Sequence, residues 1–262
     1  MKAMILAAGL GTRLKPFTDA HPKALYVFEG KTLIEHAIDH LKSAAITEAI
    51  INVHHFAGQI IDYLHKNENF GLHITLSDET GELLETGGGV KKAAWFFNDC
   101  EAAIIRNVDI LSDLDLLKLL ACHRSSGSLA TLAIRNRETS RYLLFDDEMH
   151  LCGWENRKTG ERLMARETKY GGTGPVAGRN GHVRGPLPNQ DLEKKTPEIP
   201  GLSPASITPY AFSGIQVLGP AVFPLIDEEG KFSLIDLYLR LAKDQKIAGY
   251  VEEGVIWKDV GR

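Results

Sequence analysis

Two glycines and two cations fall within seven residues near the start of the chain, in Gly9-Leu10-Gly11-Thr12-Arg13-Leu14-Lys15. They follow the apolar run Met4-Ile5-Leu6 and the pair Ala7-Ala8, which read as a short buried strand opening into a loop. Glycine has no Cβ, so its backbone can take positive φ and turn consecutive N–H groups toward an anion. Arg13 can fork onto phosphate oxygens, and Lys15 adds a point charge. A loop of this kind at the carboxyl end of a central strand suits a polyphosphate. The plainer alternative is a glycine-rich turn between strand and helix. Two familiar phosphate loops are excluded here: neither Gly9 nor Gly11 precedes Lys-Ser or Lys-Thr as a Walker A loop requires, and Leu14 stands where a dinucleotide fingerprint needs its third glycine.

Asp109 and Asp259 each close an apolar stretch, in Ala102-Ala-Ile-Ile-Arg-Asn-Val-Asp109 and Val255-Ile-Trp-Lys-Asp259. Two carboxylates on one sheet rim suit Mg²⁺, which takes one or two of them and completes its shell with water and phosphate. Solvated strand-end acids are the alternative. Lys23, behind Pro22, presents an ammonium near the glycine loop or is a surface lysine. Glu85-Thr86-Gly87-Gly88-Gly89 opens a helix, where amides can donate to oxygens and Glu85 can accept from hydroxyls. It also reads as a glycine-rich helix entry with no ligand. His36 and His40 are one helical turn apart but lack a third ligand, and are expected at the surface. The cations between Arg157 and Arg184 are expected to be solvated loop charges.

The elements that must position these groups alternate. Strands are expected at Met4–Leu6, Ala49–Val53, Leu72–Leu76, Ala102–Ile105, Leu129–Ile134 and Pro209–Leu218, with short ones at Ala248–Val251 and Val255–Asp259. Helices are expected over Lys31–Ser43, Phe56–His65, Glu85 to about Phe96, Asp113–Cys122 and Phe232–Ala242, the fourth capped by Ser112 or Asp113. Arg141–Phe145 and Glu148–Trp154 flank Asp146-Asp147 as a hairpin. From about 156 to 206 the chain is rich in Gly, Pro and charge without a period, so an irregular insertion is expected in one domain spanning residues 1–262. This α/β alternation implies a doubly wound sheet with right-handed crossovers.

Composition narrows the partners. A net charge of -4 over 262 residues argues against a general nucleic-acid binder, and no apolar run approaches the roughly 18 residues of a membrane span. Met1-Lys2-Ala3 leads directly into the first strand, which leaves no separable signal peptide and implies a cytoplasmic location. Cys100, Cys122 and Cys152 show neither zinc nor redox spacing and are expected reduced and buried.

Leu6 to Leu14, with Pro22-Lys23 soon after, resembles the signature of the sugar-1-phosphate nucleotidyltransferases. Asn107-Val108-Asp109 is similar to that family's metal-binding Asn-Gly-Asp, Phe212-Ser213-Gly214-Ile215 to its sugar-contacting segment, and Trp257-Lys258-Asp259-Val260-Gly261 to its closing Trp-x-Asp-Val-Gly. The form of Glu85 to Gly89 most resembles the N-acetylmuramate 1-phosphate uridylyltransferases, with close variants in heptose and mannose guanylyltransferases.

The resemblance implies a Rossmann-like doubly wound mixed sheet of the nucleotide-diphospho-sugar transferase type. It also implies a nucleoside triphosphate and a sugar 1-phosphate as partners, and Mg²⁺ held by Asp109 and Asp259. It assigns catalysis to Arg13, Lys23 and Asp109, and nucleotide contacts to Leu6, Ala7, Ala8, Gly9, Gly11, Thr12, Arg13 and Gly87. Sugar contacts fall to Glu85, Thr86, Gly88, Ser213 and Gly214. Glu79 and Glu82 are the acidic candidates near the base, of which Glu79 is taken as a nucleotide contact, since a carboxylate accepts from a base N–H. Departures from the pattern include Val108 for the usual glycine, Ala24 for a second proline after Lys23, the long segment from Asn156 to Ser206, and the lack of a Glu-Lys-Pro segment to hold the sugar phosphate. A nucleotide-binding regulatory relative and a glycosyltransferase remain as alternatives, although Asn107-Val108-Asp109 is not the latter's Asp-x-Asp.

Overall fold

The structure is a computed structural model that describes residues 1–166 and 207–261. The chain begins with β1 (Lys2–Leu6), then the small hairpin β2 (Val27–Phe28) and β3 (Lys31–Thr32). There follow α1 (Leu33–Ser43), β4 (Glu48–Val53), α2 (Ala57–Lys66) and β5 (His73–Asp78). Next come α3 (Glu85–Ala93), β6 (Ala103–Asn107), β7 (Ile110–Ser112), α4 (Leu116–Ser126) and β8 (Ala130–Arg135). β9 (Arg141–Phe145), β10 (Leu151–Asn156) and β11 (Glu161–Met164) precede β12 (Thr208–Leu218), α5 (Leu234–Leu241), β13 (Ile247–Val251) and β14 (Trp257–Asp259).

β5, β4, β1 and β6 pair in parallel, and β12 then runs antiparallel to β6. β12 is long enough to join β9 at its start and β8 further on, where its register shifts between Phe212 and Gln216. β1, β4 and β6 are buried on both faces, so they read as apolar runs and not as alternating strands. One core cluster lies under α1, α2 and α4, with Leu33, Ile38, Leu41, Ile60 and Leu119 packed on Ala3, Ile5 and Ile104. The other lies under α3 and α5, with Val90, Phe97, Leu237 and Tyr238 packed on Met4, Ile50 and Ile105. Helices on both faces of a mixed sheet are the doubly wound arrangement expected. The chain leaves β1 toward β4 on one side and returns as β6 on the other, which places a topological switch point at the carboxyl ends of β1 and β6.

Three expectations are corrected. The helix expected from Asp113 begins at Leu116, capped by Asp115, whose carboxylate accepts from Leu117 N and Lys118 N at 3.0 and 3.1 Å. Ser112 and Asp113 instead accept from Leu114 N and Ile256 N. The stretch expected to be irregular from 156 opens with β11, paired to β10 and exposed throughout, so it carries no hydrophobic period. Residues 167–206, the rest of that stretch, lie outside the described residues, as do the cations expected there. His36 and His40 are half-buried and bind the carbonyls of Phe28 and Leu114, which the expectation of surface residues did not foresee. Cys100 and Cys152 are buried and Cys122 half-buried, all three as free thiols.

Candidate active site

The loop after β1 rests on a polar floor. Asn52, at the carboxyl end of β4 and 2 % exposed, accepts from Ala7 N at 2.7 Å and Ala8 N at 3.3 Å. Its amide donates to Glu79 Oε1 at 2.8 Å, and Glu79 Oε2 accepts from Leu84 N at 3.3 Å. Glu79 is 1 % exposed, so the candidate base contact lies beneath the loop, its carboxylate already accepting two hydrogen bonds. Glu82 is exposed. Gly9 lies in the open, where a Cβ would meet nothing within 4 Å. Gly11 adopts φ 62° and ψ 31°, and a Cβ there would lie 2.8 Å from Lys23 Cβ, so glycine is required by conformation and by close approach. Thr12 and Arg13 are exposed on the short turn that follows, and the Arg13 side chain has no partner among the described residues.

Lys23, Asp109 and Asp259 come together beneath this loop. Lys23 Nζ bonds Asp109 Oδ2, and both side chains are only 11 % exposed, so the pair is largely desolvated. A Cβ on Gly261 would lie 2.8 Å from Asp109 Oδ2, 2.8 Å from Lys23 Nζ and 3.2 Å from Asp259 Oδ1. All three groups therefore converge on one point. The cause is a second, small sheet: β14 pairs with β7 so that Asp259 opposes Ile110, and Val260 N donates to Asp109 O at 3.0 Å. Asp259 is oriented by Gly261 N, which donates to Oδ1 at 3.0 Å. Val108 sits in this turn, buried in the α1-side core. Among the described residues no three His, Cys, Asp or Glu side chains group closely enough to hold an ion. The Asp109 and Asp259 pair nevertheless supplies the hard oxygen donors that a phosphate-bound cation accepts from protein.

The glycines of α3 serve packing. A Cβ on Gly87 would stand 2.3 Å from the Phe232 ring, one on Gly88 2.3 Å from Gly230 O, and one on Gly89 2.8 Å from Glu79 Oε1. Gly87 N donates to Phe232 O, and Thr86 Oγ1 accepts from Leu234 N at 3.0 Å. Glu85 takes φ 60°, is exposed, and lies 3.4 Å from Lys231. Of this segment, Glu85 and Thr86 face the cavity that also contains Gly9, Lys23, Asn107 and Asp109, about 340 Å³ in volume.

A larger cavity of about 550 Å³ adjoins it, with Asn107 and Ser233 in the walls of both. Ser213, Gly214, Asp259, Trp257, Arg137 and Arg141 border it, with Glu161 and Asp236 opposite in charge. Gly214 takes φ 81° at the irregular point of β12, and a Cβ there would press on Ile110 and Asn107. Trp257 Nε1 donates to Ser213 O at 2.9 Å, and the guanidinium of Arg137 lies 4.5 Å from the indole centre. Behind this wall Glu252 is buried, which pushes its pKa up against the opposing Arg135 guanidinium 3.5 Å away.

The structure thus gathers Leu6, Ala8, Gly9, Lys23, Glu85, Thr86 and Asp109 around one cavity, and Ser213, Gly214 and Asp259 around its neighbour. Ala7 and Glu79 are held by Asn52 or under it, Gly87 and Gly88 are packed beneath the 230–234 segment, and Thr12 and Arg13 stand outside the walls. Asn52 and Arg106 were not singled out from sequence. Asn52 is the lone polar residue in the apolar run Ala49–Val53, and Arg106 is a cation, beside Asn107, at the end of the apolar run Ala102–Ile105; those are the signals by which they could have been found.

A profile of the nucleotidyl transferase family matches residues 2–143. The chain is 31% identical over 266 aligned positions to an N-acetylmuramate alpha-1-phosphate uridylyltransferase of Caulobacter vibrioides, covering 99% of this chain and 91% of that protein. A mannose-1-phosphate guanylyltransferase catalytic subunit beta of Dictyostelium discoideum is 35% identical over 144 residues, 54% of this chain and 40% of that one. In structure, a putative glucose-1-phosphate thymidylyltransferase of Bacillus anthracis superposes with a TM-score of 0.71 at 17% identity, covering all of this chain and 90% of that one.

Proposed function

Since this chain belongs to the sugar-1-phosphate nucleotidyltransferase family, we propose that it joins UTP to N-acetylmuramate 1-phosphate or a related amino-sugar 1-phosphate, releasing pyrophosphate. The observation that carries this reading is the meeting of Lys23, Asp109 and Asp259 at the junction of two cavities that share Asn107 and Ser233. The smaller cavity, roofed by Gly9 and flanked by Glu85 and Thr86, would take the nucleotide. The larger one would take the sugar. Its Arg137 and Arg141 offer cations to a lactyl carboxylate, which a muramate carries and mannose lacks. The full-length similarity to the Caulobacter enzyme supports the same choice.

The sugar 1-phosphate oxygen is already an anion, so its in-line attack on the α-phosphorus needs no strong base. Positioning and charge neutralisation then carry the rate. Lys23, now against Asp109, has its ammonium within reach of phosphate at the cavity junction. Arg13, exposed on the loop above, would close on the departing pyrophosphate. Asp109 and Asp259 would hold Mg²⁺, which when bound neutralises charge on the phosphate oxygens.

Mannose 1-phosphate with GTP is the second reading, favoured by the Dictyostelium similarity over 54% of the chain. Pyrophosphate release over a grid of four nucleoside triphosphates and a dozen sugar 1-phosphates tests both. Preference for GTP with mannose 1-phosphate overturns the uridylyl reading, and nucleotide binding with no release under any pairing overturns the enzyme.

A further inference from the structure

Arg106 is the largest fully buried side chain of the molecule's described part, at 1 % exposure, and it stands in the middle of the apolar cluster under α1. Its strand neighbours Ile104 and Val108 fill that cluster as aliphatic side chains. A guanidinium at such a position is costly to desolvate unless its donors are met. Here the two terminal nitrogens are met without an ion pair to any carboxylate among the described residues, while Nε is buried with no hydrogen-bond partner among them. One terminal nitrogen donates to His40 Nδ1 at 2.7 Å and approaches Ala37 O at 3.4 Å, and the other donates to Ile110 O.

His40 completes the arrangement. Because Nδ1 accepts from Arg106, the ring proton must lie on Nε2, which donates to Leu114 O at 2.7 Å. Burial, then the neighbouring Arg106, lowers the pKa of His40 to about 4, so the ring stays neutral and keeps both bonds at physiological pH. Burial also pulls Arg106 down to about 10 while the Asp109 charge opposes it, so Arg106 remains a cation.

These bonds end on Ile110 and Leu114, the two ends of the segment that follows Asp109. Ile110 is also the residue that β14 places opposite Asp259. One buried side chain therefore fixes the backbone that carries one carboxylate and pairs with the strand that carries the other. A core that needed only volume would be served by an aliphatic residue there.

We propose that Arg106, held by His40, is a positioning residue that sets the relative placement of Asp109 and Asp259 from behind the sheet. The inference rests on those two carboxylates forming the cation site of the function proposed above.

The test is Mn²⁺ binding to the intact chain, followed by electron paramagnetic resonance, alongside thermal unfolding and pyrophosphate release. Arg106→Met keeps the length and removes the donors. It should remain folded while Mn²⁺ affinity falls at least about tenfold, as does kcat, with KM for the sugar phosphate little changed, because losing a group that orients a metal ligand typically costs that much. Arg106→Lys, which retains a charge and a donor, should recover part of the affinity. A core-filling role would instead make the methionine variant the equal of the parent and the lysine variant the poorer protein. Should Arg106→Met fail to fold, His40→Phe decides, with a loss of about threefold or more expected from the looser guanidinium. Parent-like Mn²⁺ affinity in a folded Arg106→Met, or in His40→Phe where that variant decides, overturns the inference alone. A parent chain that binds no Mn²⁺ overturns the cation site, and this inference with it.

Discussion

Gly261→Ala probes the convergence of Lys23, Asp109 and Asp259 with one methyl group. The added carbon would stand 2.8 Å from Asp109 Oδ2 and from Lys23 Nζ, and 3.2 Å from Asp259 Oδ1. Ordinary contact begins at 3.4 Å, so the first two must retreat by roughly half an ångström and the third by a few tenths. All three are side-chain tips, which can move. The backbone of Gly261 is not in the left-handed region, so the substitution carries no conformational strain of its own. Stability should therefore change little, with the reduced entropy of the unfolded chain contributing about 0.4–1 kcal/mol in favour of the variant.

The rate should respond differently. Displacements approaching 1 Å in positioned catalytic groups cost up to about a hundredfold, so a loss between about tenfold and a hundredfold in kcat is expected, or about 1.4–2.7 kcal/mol. Pyrophosphate release at limiting and saturating Mg²⁺, with a urea unfolding curve on the same preparation, separates the two effects. The deficit should be larger at limiting Mg²⁺, because both displaced carboxylates belong to the proposed cation site. Turnover within twofold of the parent at limiting Mg²⁺, in a variant of unchanged stability, would refute a common locus for the three groups.

Asp109→Asn and Asp259→Asn should each lower kcat on the order of a hundredfold or more, and the double variant should be little worse than either, since both serve one ion. Asn52→Leu leaves the amides of Ala7 and Ala8 without their acceptor, so it should cost about 1–3 kcal/mol in chemical unfolding and raise KM for the nucleotide. Gly88→Ala drives a Cβ against the carbonyl of Gly230 at 2.3 Å, a backbone clash that should cost about 1–3 kcal/mol or more in the same assay. His40, with a folded pKa near 4 against an ordinary 6.5, binds its proton more readily when unfolded. Stability should therefore fall by roughly 3 kcal/mol as the pH drops from 6.5 to 4, and His40→Phe should flatten that limb of a pH series of unfolding curves.

The central sheet was legible because its strands are buried on both faces. Ala49–Val53 and Ala102–Ile105 are apolar runs that only a two-sided core requires, and each was placed within two residues of its observed ends. α1 was legible from the spacing of Leu33, Ile34, Ala37, Ile38 and Leu41, all buried on one side. β11 was illegible for the opposite reason: every residue of it is exposed, so nothing alternates. The start of α4 was misread because Ser112, Asp113 and Asp115 are equally good caps in sequence. Only the approach of Ile256, 143 residues away, decides that Asp113 is taken elsewhere.

In the site, residue types were legible and their reasons were not. Gly87 and Gly88 were read as contacts to nucleotide and sugar or as a plain glycine-rich helix entry, and the atoms that a Cβ on them would meet belong to Phe232 and Gly230. A sequence shows that a backbone must be approached closely, and leaves open by what. Asn52 and Arg106 escaped notice because their partners are distant along the chain: Ala7 lies 45 residues before Asn52, and His40 66 residues before Arg106.

The meeting of Asp109 and Asp259 follows from the same physics on a smaller scale. The main sheet brings the carboxyl end of β6 beside that of β1, and so carries Asp109 to the glycine loop. It does not carry Asp259 there. That residue arrives through β7 and β14, three residues each, a pairing too short to be stable alone. Its support comes from side chains: Trp257 Nε1 on Ser213 O, Asp113 on Ile256 N, and Arg106 on Ile110 O. A polar substitution in any of the three loosens the small sheet before it touches the large one. Loss of the second carboxylate from the site should therefore precede loss of the fold, and that order is what separates a site built by a supporting side chain from one built by the sheet itself.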